Sequence, residues 1–199
     1  MPTKFQGKFP LIGIHAPAQS GKSTAAKVLK GLLGYQETSF AEPIRQFISD
    51  LTGISREELE DAAIKEAVIP WIGKSPRKMM QTLGTEWGRQ CVCEDFWVQR
   101  ALNEVKRLQA LGQHCLISDV RFENEAEVIR KAGGVVLHLV RPDALVVSSH
   151  VSEVGVARTS DDYVIFNDGT LSKFKAQVAN WHYAMWKGDD KALRAFQCP

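Results

Sequence analysis

The chain contains no apolar run of 18 or more residues, and the apolar stretch within its first residues, MPTKFQGKFPLIGI, is too short for a secretion signal. A membrane partner and a cleaved leader are therefore not expected, and a soluble protein of the cytoplasm is. Cysteine is scarce, with Cys91, Cys93, Cys115 and Cys198 the only four, and Cys91-x-Cys93 has no second pair at zinc-finger spacing. That excludes a disulfide framework and favours reduced thiols, with a metal at His114 beside Cys115 as the alternative. No run of like charges occurs and the net charge is +2, so a surface that coats nucleic acid is excluded and no direct nucleic-acid partner is expected. Internal repeats and low-complexity segments are absent too. A chain of 199 residues with these properties is expected to form a single domain with a real core.

What is present is concentrated between Phe9 and Leu33, where FPLIGIHAPAQSGKSTAAKVLKGLL passes from an apolar run through small residues into a helical pattern. Ser20-Gly21-Lys22-Ser23-Thr24 has the layout of a phosphate-binding loop between strand and helix. Gly21 lets the backbone curl so that N–H groups meet phosphate oxygens, and the helix start adds partial positive charge. Lys22 would reach the β- and γ-phosphates, and the Ser23 hydroxyl suits Mg2+, a hard ion that takes oxygen ligands. The chain departs from the motif at Ala16, where Gly is usual. Alanine there would be strained if the backbone required a positive φ.

Further along, Ile44, Phe47, Ile48 and Leu51 stripe a helix that Pro43 opens and Gly53 ends. Ser55 and Glu58 form a capping box for a helix to about Ala67, Ser75-Pro76 starts one from Arg77 to Leu83 closed by Gly84, and a long helix runs from Asp95 to Leu111. About seventy residues after the loop are thus expected to be mainly helical, with an insert over about 42–111, and strand character to return only after them. Strands are expected at His114 to Ser118, Val135 to Val140 and Tyr163 to Phe166, with helices over Glu123 to Ala132 and around Phe174, Val178, Trp181 and Met185. Residues 142–162 carry no period and read as a loop able to close as a lid. The fold class is α/β: a mostly parallel sheet covered on both faces by helices, with a helical insert. Ligands of such sheets bind at the carboxyl ends of the strands, where the loop, Asp119 and Arg141 would emerge.

Asp119 follows Cys115-Leu116-Ile117, as a carboxylate is presented to the Mg2+ of a phosphate-loop protein. The next residue is Val120 rather than the Glu with which many ATPases activate water, and the guanine-reading Asn-Lys-x-Asp pattern is missing. Transfer to an acceptor other than water is favoured over a hydrolysis motor or a GTPase. Joining two phosphates needs charge neutralisation, so arginines should surround the site. Arg121 would share a strand face with Asp119 if extended geometry persists. Arg141 leaves the neighbouring strand, and Arg77, Arg45, Arg89 and Arg158 are further candidates.

Phe40-Ala41-Glu42-Pro43-Ile44-Arg45, Met80-Gln81-Thr82-Leu83-Gly84-Thr85-Glu86-Trp87, Phe96-Trp97-Val98, Ser118-Asp119-Val120-Arg121-Phe122-Glu123-Asn124-Glu125, Arg141-Pro142, His150-Val151-Ser152-Glu153 and Asn167-Asp168-Gly169-Thr170 occur in this order. Together with the phosphate loop, this ordered set closely resembles the deoxynucleoside monophosphate kinases of tailed bacteriophages, relatives of the adenylate kinase group. The resemblance implies transfer from ATP to a deoxynucleoside monophosphate, with Mg2+, in the host cytoplasm. It implies that Ser20 to Thr24 hold ATP, that Arg77, Gly84, Thr85, Trp97, Arg121 and Glu125 line the monophosphate pocket, and that Lys22, Asp119 and Arg121 serve catalysis. Ser23 and Asp119 would serve the metal, Arg141 and Arg158 the lid. Trp97 offers a flat face for a base, Arg77 and Arg121 a fork for phosphate, Glu125 an acceptor for base or sugar. Small-molecule nucleotides are the expected partners, and a homodimer is compatible with the sequence. The rivals are a kinase of another small acceptor and a non-catalytic nucleotide-binding module.

Overall fold

A computed structural model describes residues 10–17, 19–142 and 155–198. Five parallel strands form one sheet in the order β2-β3-β1-β4-β5, with β1 at Ile12–His15, β2 at Gln36–Thr38, β3 at Cys115–Val120, β4 at Val135–Val140 and β5 at Tyr163–Phe166. From β1 the chain moves outward to β2, returns to fill β3 beside β1, and then crosses to β4 on the other flank. The strand order therefore reverses at β1, and the carboxyl end of β1 opens into the loop before helix α1 (Lys22–Leu33). That reversal is where ligands of such sheets are received.

The central strands are apolar on nearly every residue because both faces are covered. On one face Ile12, Ile14, Leu116, Val135, Leu137 and Leu139 pack with Ala25 and Leu29 of α1 and with Phe174, Val178, Trp181 and Met185 of helix α7 (Leu171–Lys187). On the other face Gly13 admits helix α6 (Glu123–Lys131) so closely that a Cβ there would stand 2.6 Å from Ile129 Cδ1. Strand β2 departs from the expectation that strand character returns only after the mainly helical stretch. It is a three-residue edge strand with Gln36 and Glu37 exposed, so it lacks the apolar signature, as short charged edges do.

The chain divides into two compact units, one of residues up to Ser39 and from Glu104, the other Phe40–Asn103. The second is helical. Helix α2 (Glu42–Thr52) buries Ile44 and Ile48, and Ser55 and Glu58 do exchange capping bonds. The helix expected to run on to Ala67 is instead a 3-10 turn at Glu58–Glu60 followed by α3 at Ala62–Glu66, because the Asp61 side chain accepts from the N–H groups of Ala63 and Ile64 and starts a new helix. The helix expected to close at Gly84 does not stop there either. Helix α4 (Pro76–Gln81) continues as a π-helix through Thr82–Val92, with Cys93 N donating to Gly88 O at 3.0 Å. Helix α5 (Phe96–Ala110) follows.

Trp97 packs on the π-helix. Its indole is buried, donates Nε1–H to Gly84 O at 2.8 Å, and lies so close to Gly88 that a Cβ there would fall 2.3 Å from Nε1. The missing side chain at Gly88 makes room for the ring, and Gly84 O accepts its N–H from within the wider helix. Gly88→Ala should therefore cost about 1–3 kcal/mol, the price of overpacking, read as a lower melting temperature.

Candidate active site

The phosphate loop is held from outside by donors aimed at its carbonyls. Lys22 Nζ donates to Ala16 O and, at 2.8 Å, to Pro17 O; Arg141 Nη1 donates to Gln19 O at 3.2 Å; Asn167 Nδ2 donates to Ser20 O at 3.2 Å. Carbonyls fixed on one side leave the amides of the turn and of the first turn of α1 available on the other. Gly21 sits at φ 102°, and a Cβ there would also lie 2.9 Å from Phe174, so two independent constraints demand glycine. The positive φ that would strain Ala16 is not there: among the described residues the single non-glycine with positive φ is Gln19, at 59°.

The residues fit a phosphate group. Helix α1 has no side-chain cap and no acidic residue in its first turn, so its N–H groups keep their hydrogen-bonding capacity and meet no competing carboxylate. The Ser20 hydroxyl is wholly buried and has no hydrogen-bond partner among the described residues. For a metal ion the donor chemistry is that of Mg2+, with the exposed Ser23 hydroxyl at the head of α1 and the buried Asp119 carboxylate on β3. Among the described residues no cluster of three or more His, Cys, Asp or Glu forms a protein cage.

Positive charge gathers at this sheet edge. Burial first, and then the charges of His138, Lys22 and Arg158, push the His15 imidazole down to about 4, against a raising contribution from its hydrogen bond to Val120 O. His15 is therefore neutral at physiological pH. Arg121 is exposed, just past the end of β3, and its guanidinium pairs with no carboxylate among the described residues. Its backbone is fixed from behind: Glu125, almost fully buried, accepts the N–H of Arg121 at 2.7 Å and that of Phe122 at 3.1 Å through Oε2, closing the start of α6.

Arg158 stands on the segment that returns to the sheet after residue 154. This return is anchored by Asp162, which is fully buried and receives both arms of a fork from Arg130, at 3.1 and 2.7 Å, the Thr159 N–H at 2.9 Å and His138 Nε2 at 3.3 Å. Glu123 completes the network, binding Arg130 Nη1 and the Ala157 N–H. Burial alone would raise the Asp162 pKa; the bonds from His138, Arg130 and Thr159 overcome it and hold the carboxyl well below the ordinary range. The block at 150–153 lies outside the described residues.

Four of the predicted pocket residues belong to the helical unit. Arg77 Nε bonds Glu66, Gly84 supplies the carbonyl that Trp97 takes, Thr85 is half-buried on the π-helix, and Trp97 packs against Phe96 with ring centroids 4.8 Å apart. Arg45 lies 3.9 Å from Glu42 and 3.8 Å from Glu60, and Arg89 donates to Glu94 O at 3.3 Å. Sequence reasoning gave no role to His15, Asn167 or the Arg130–Asp162 pair. The one available signal was Asn167, an amide at the end of the last strand beside an Asp-Gly turn.

A parallel sheet whose first strand feeds such a loop and helix defines the phosphate-loop kinase fold. A dephospho-CoA kinase from Campylobacter jejuni has this fold, with a TM-score of 0.51 over 90% of this chain and 98% of its own at 16% identity. The chain belongs to the deoxynucleotide monophosphate kinase family, which matches residues 57–178. A protein of Acanthamoeba polyphaga mimivirus assigned to these kinases is 32% identical over 180 residues, 84% of this chain and 93% of the relative. The deoxynucleotide monophosphate kinase of Enterobacteria phage T4 is 30% identical over 107 residues, 53% of this chain and 44% of its own length. The deoxynucleoside-5'-monophosphate kinase of Escherichia phage T5 is 25% identical over 241 residues, 86% of this chain and 95% of its own length.

Proposed function

We propose that the chain transfers the γ-phosphoryl group of ATP to a deoxynucleoside monophosphate, yielding the diphosphate and ADP in the supply of DNA precursors. The observation that carries this reading is the loop of Ser20 to Thr24, its carbonyls tied back and its helix start uncapped, in a chain of this family. Mg2+ held through Ser23 and Asp119 would draw charge from the phosphate oxygens. The chain's own residues do the remainder by position and charge. The amides from Gly21 onward grip the donor phosphates, and the Lys22 ammonium exchanges the Ala16 and Pro17 carbonyls for phosphate oxygens when ATP binds, so that the charge is in place before transfer. Arg121, exposed and backed by the buried Glu125, offers a fork to the acceptor phosphate, and Arg141 and Arg158 add positive charge at the same sheet edge. Val120 after Asp119 leaves water without a base at that position, which favours the acceptor over hydrolysis. Arg77, Gly84, Thr85 and Trp97 are assigned to the monophosphate by the resemblance.

An ADP-release assay over the four deoxynucleoside monophosphates and their ribose counterparts tests the reading; no deoxynucleotide-dependent release would overturn it. In the same assay Arg121→Lys should be nearly as harmful as Arg121→Ala, because a lysine cannot make a two-toothed contact, with the loss mainly in kcat and ATP binding unchanged. A wild-type rate for Arg121→Lys with weakened ATP binding would place Arg121 on the donor side.

A further inference from the structure

The pairing of β1 with β3 slips by one residue just where Asp119 stands. Ile12 pairs with Leu116 and Gly13 with Ile117, but His15 pairs with Val120, so two steps along β1 correspond to three along β3. The pairing of β1 with β4 shows no such slip: Gly13, Ile14 and His15 meet Val136, Leu137 and His138 in turn. The extra residue is therefore in β3, within Ser118-Asp119.

Side-chain alternation shows what it does. Ile12 and Leu116 both lie in the core beneath α1 and α7, whereas Gly13, and with it Ile117, faces α6. A regular strand with Ile117 toward α6 would turn Asp119 toward α6 as well. Instead Val120 faces α6, its Cγ2 3.0 Å from where a Gly13 Cβ would lie. Bulges beside active sites commonly re-aim one side chain in this way. A bulge also disrupts the ladder, and here a side chain makes the bond that follows it: His15 Nδ1 donates to Val120 O at 2.9 Å, across 105 residues of sequence. The ring is held in turn by His138, edge to face at 5.3 Å between centroids.

We propose that His15 is a positioning residue: by clamping Val120 O it fixes the β3 bulge that turns the Asp119 carboxylate from the α6 face to the α1 face, where the phosphate loop and Ser23 lie. The inference rests on the reading of Asp119 as the metal-side carboxylate. Neutral His15 keeps one N–H for the Val120 carbonyl. Asparagine can place its Nδ2 donor where the imidazole places Nδ1, whereas phenylalanine and leucine fill the space without a donor.

Calorimetric titration of a non-hydrolysable ATP analogue, with and without Mg2+, measures the affinity that the metal adds. That gain should fall about tenfold in His15→Phe, in the range found when a group orienting a metal ligand is removed, and survive in His15→Asn. Affinity without metal should stay at the wild-type value in all variants, since the loop itself is untouched. His15→Leu, which is smaller, serves the same comparison if His15→Phe does not fold. A wild-type gain in the donor-less variant, or a parallel loss of metal-free affinity, overturns the positioning role. Asp119→Asn separates the two layers: if it loses the gain while His15→Phe keeps it, only the inference about His15 fails. If Asp119→Asn keeps the gain, the metal assignment fails and the inference falls with it.

Discussion

Lys22→Met should reduce phosphoryl transfer by about a thousandfold while leaving the melting temperature within a few degrees of wild type. The two effects separate because Lys22 does two unequal things. In the fold it donates to the carbonyls of Ala16 and Pro17, at a partly exposed loop whose carbonyls would otherwise be met by water, and such substitutions cost little. In transfer its ammonium is fixed charge at the donor phosphates, and a preorganised charge lost from such a site is not replaced by solvent. Steady-state kinetics beside a thermal melt decide the matter. Turnover within about tenfold of wild type would remove the phosphate loop from the mechanism, and unfolding would show that the lysine is structural.

The largest effect on stability is expected at Asp162. Asp162→Asn leaves Arg130 and its neighbours in a buried fork with half of their compensation gone, and breaking a pair of this kind costs about 3 kcal/mol or more, near 10 °C in melting temperature for a chain of this size. The pH dependence carries the signature. Because the folded-state pKa of Asp162 is depressed, its contribution is complete above the ordinary aspartate value, near 4, and is lost as pH falls below that toward the folded-state pKa. Wild-type stability should therefore drop on acidification below about pH 4, and the Asn variant should show a shallower drop, the two curves converging. Parallel curves over that range would mean that the network does not hold the carboxylate ionised.

Local physics was legible in the sequence. The phosphate loop was readable because its turn, lysine and hydroxyl lie within five residues and act through their own backbone. Strands Val135–Val140 and Tyr163–Phe166 appeared at their observed limits, the first inside the sheet and the second at its edge, because both are apolar along nearly their whole length. Other features depend on partners far along the chain. The sequence of β2, Gln-Glu-Thr, carries no strand pattern and becomes a strand through the free edge of β3. Gly84 reads as a helix end because glycine usually is one; the chain instead winds on through it as a π-helix, on which the Trp97 indole, thirteen residues on, packs at Gly88 and bonds Gly84 O. Glu125, expected from the resemblance at base or sugar, has one oxygen bound to the backbone that carries Arg121.

The sequence by itself determined the α/β class, through the order of apolar runs and helical stripes along the chain, and the loop with its lysine and the carboxylate on β3, each of which follows from residues a few positions apart. Only the tertiary structure decided the slip of register at Asp119, the clamp from His15 and the buried Arg130–Asp162 fork. Each joins segments 32 to 105 residues apart, and whether a side chain there faces a helix, a loop or an opposite charge is settled by how the strands pair and the helices pack on them.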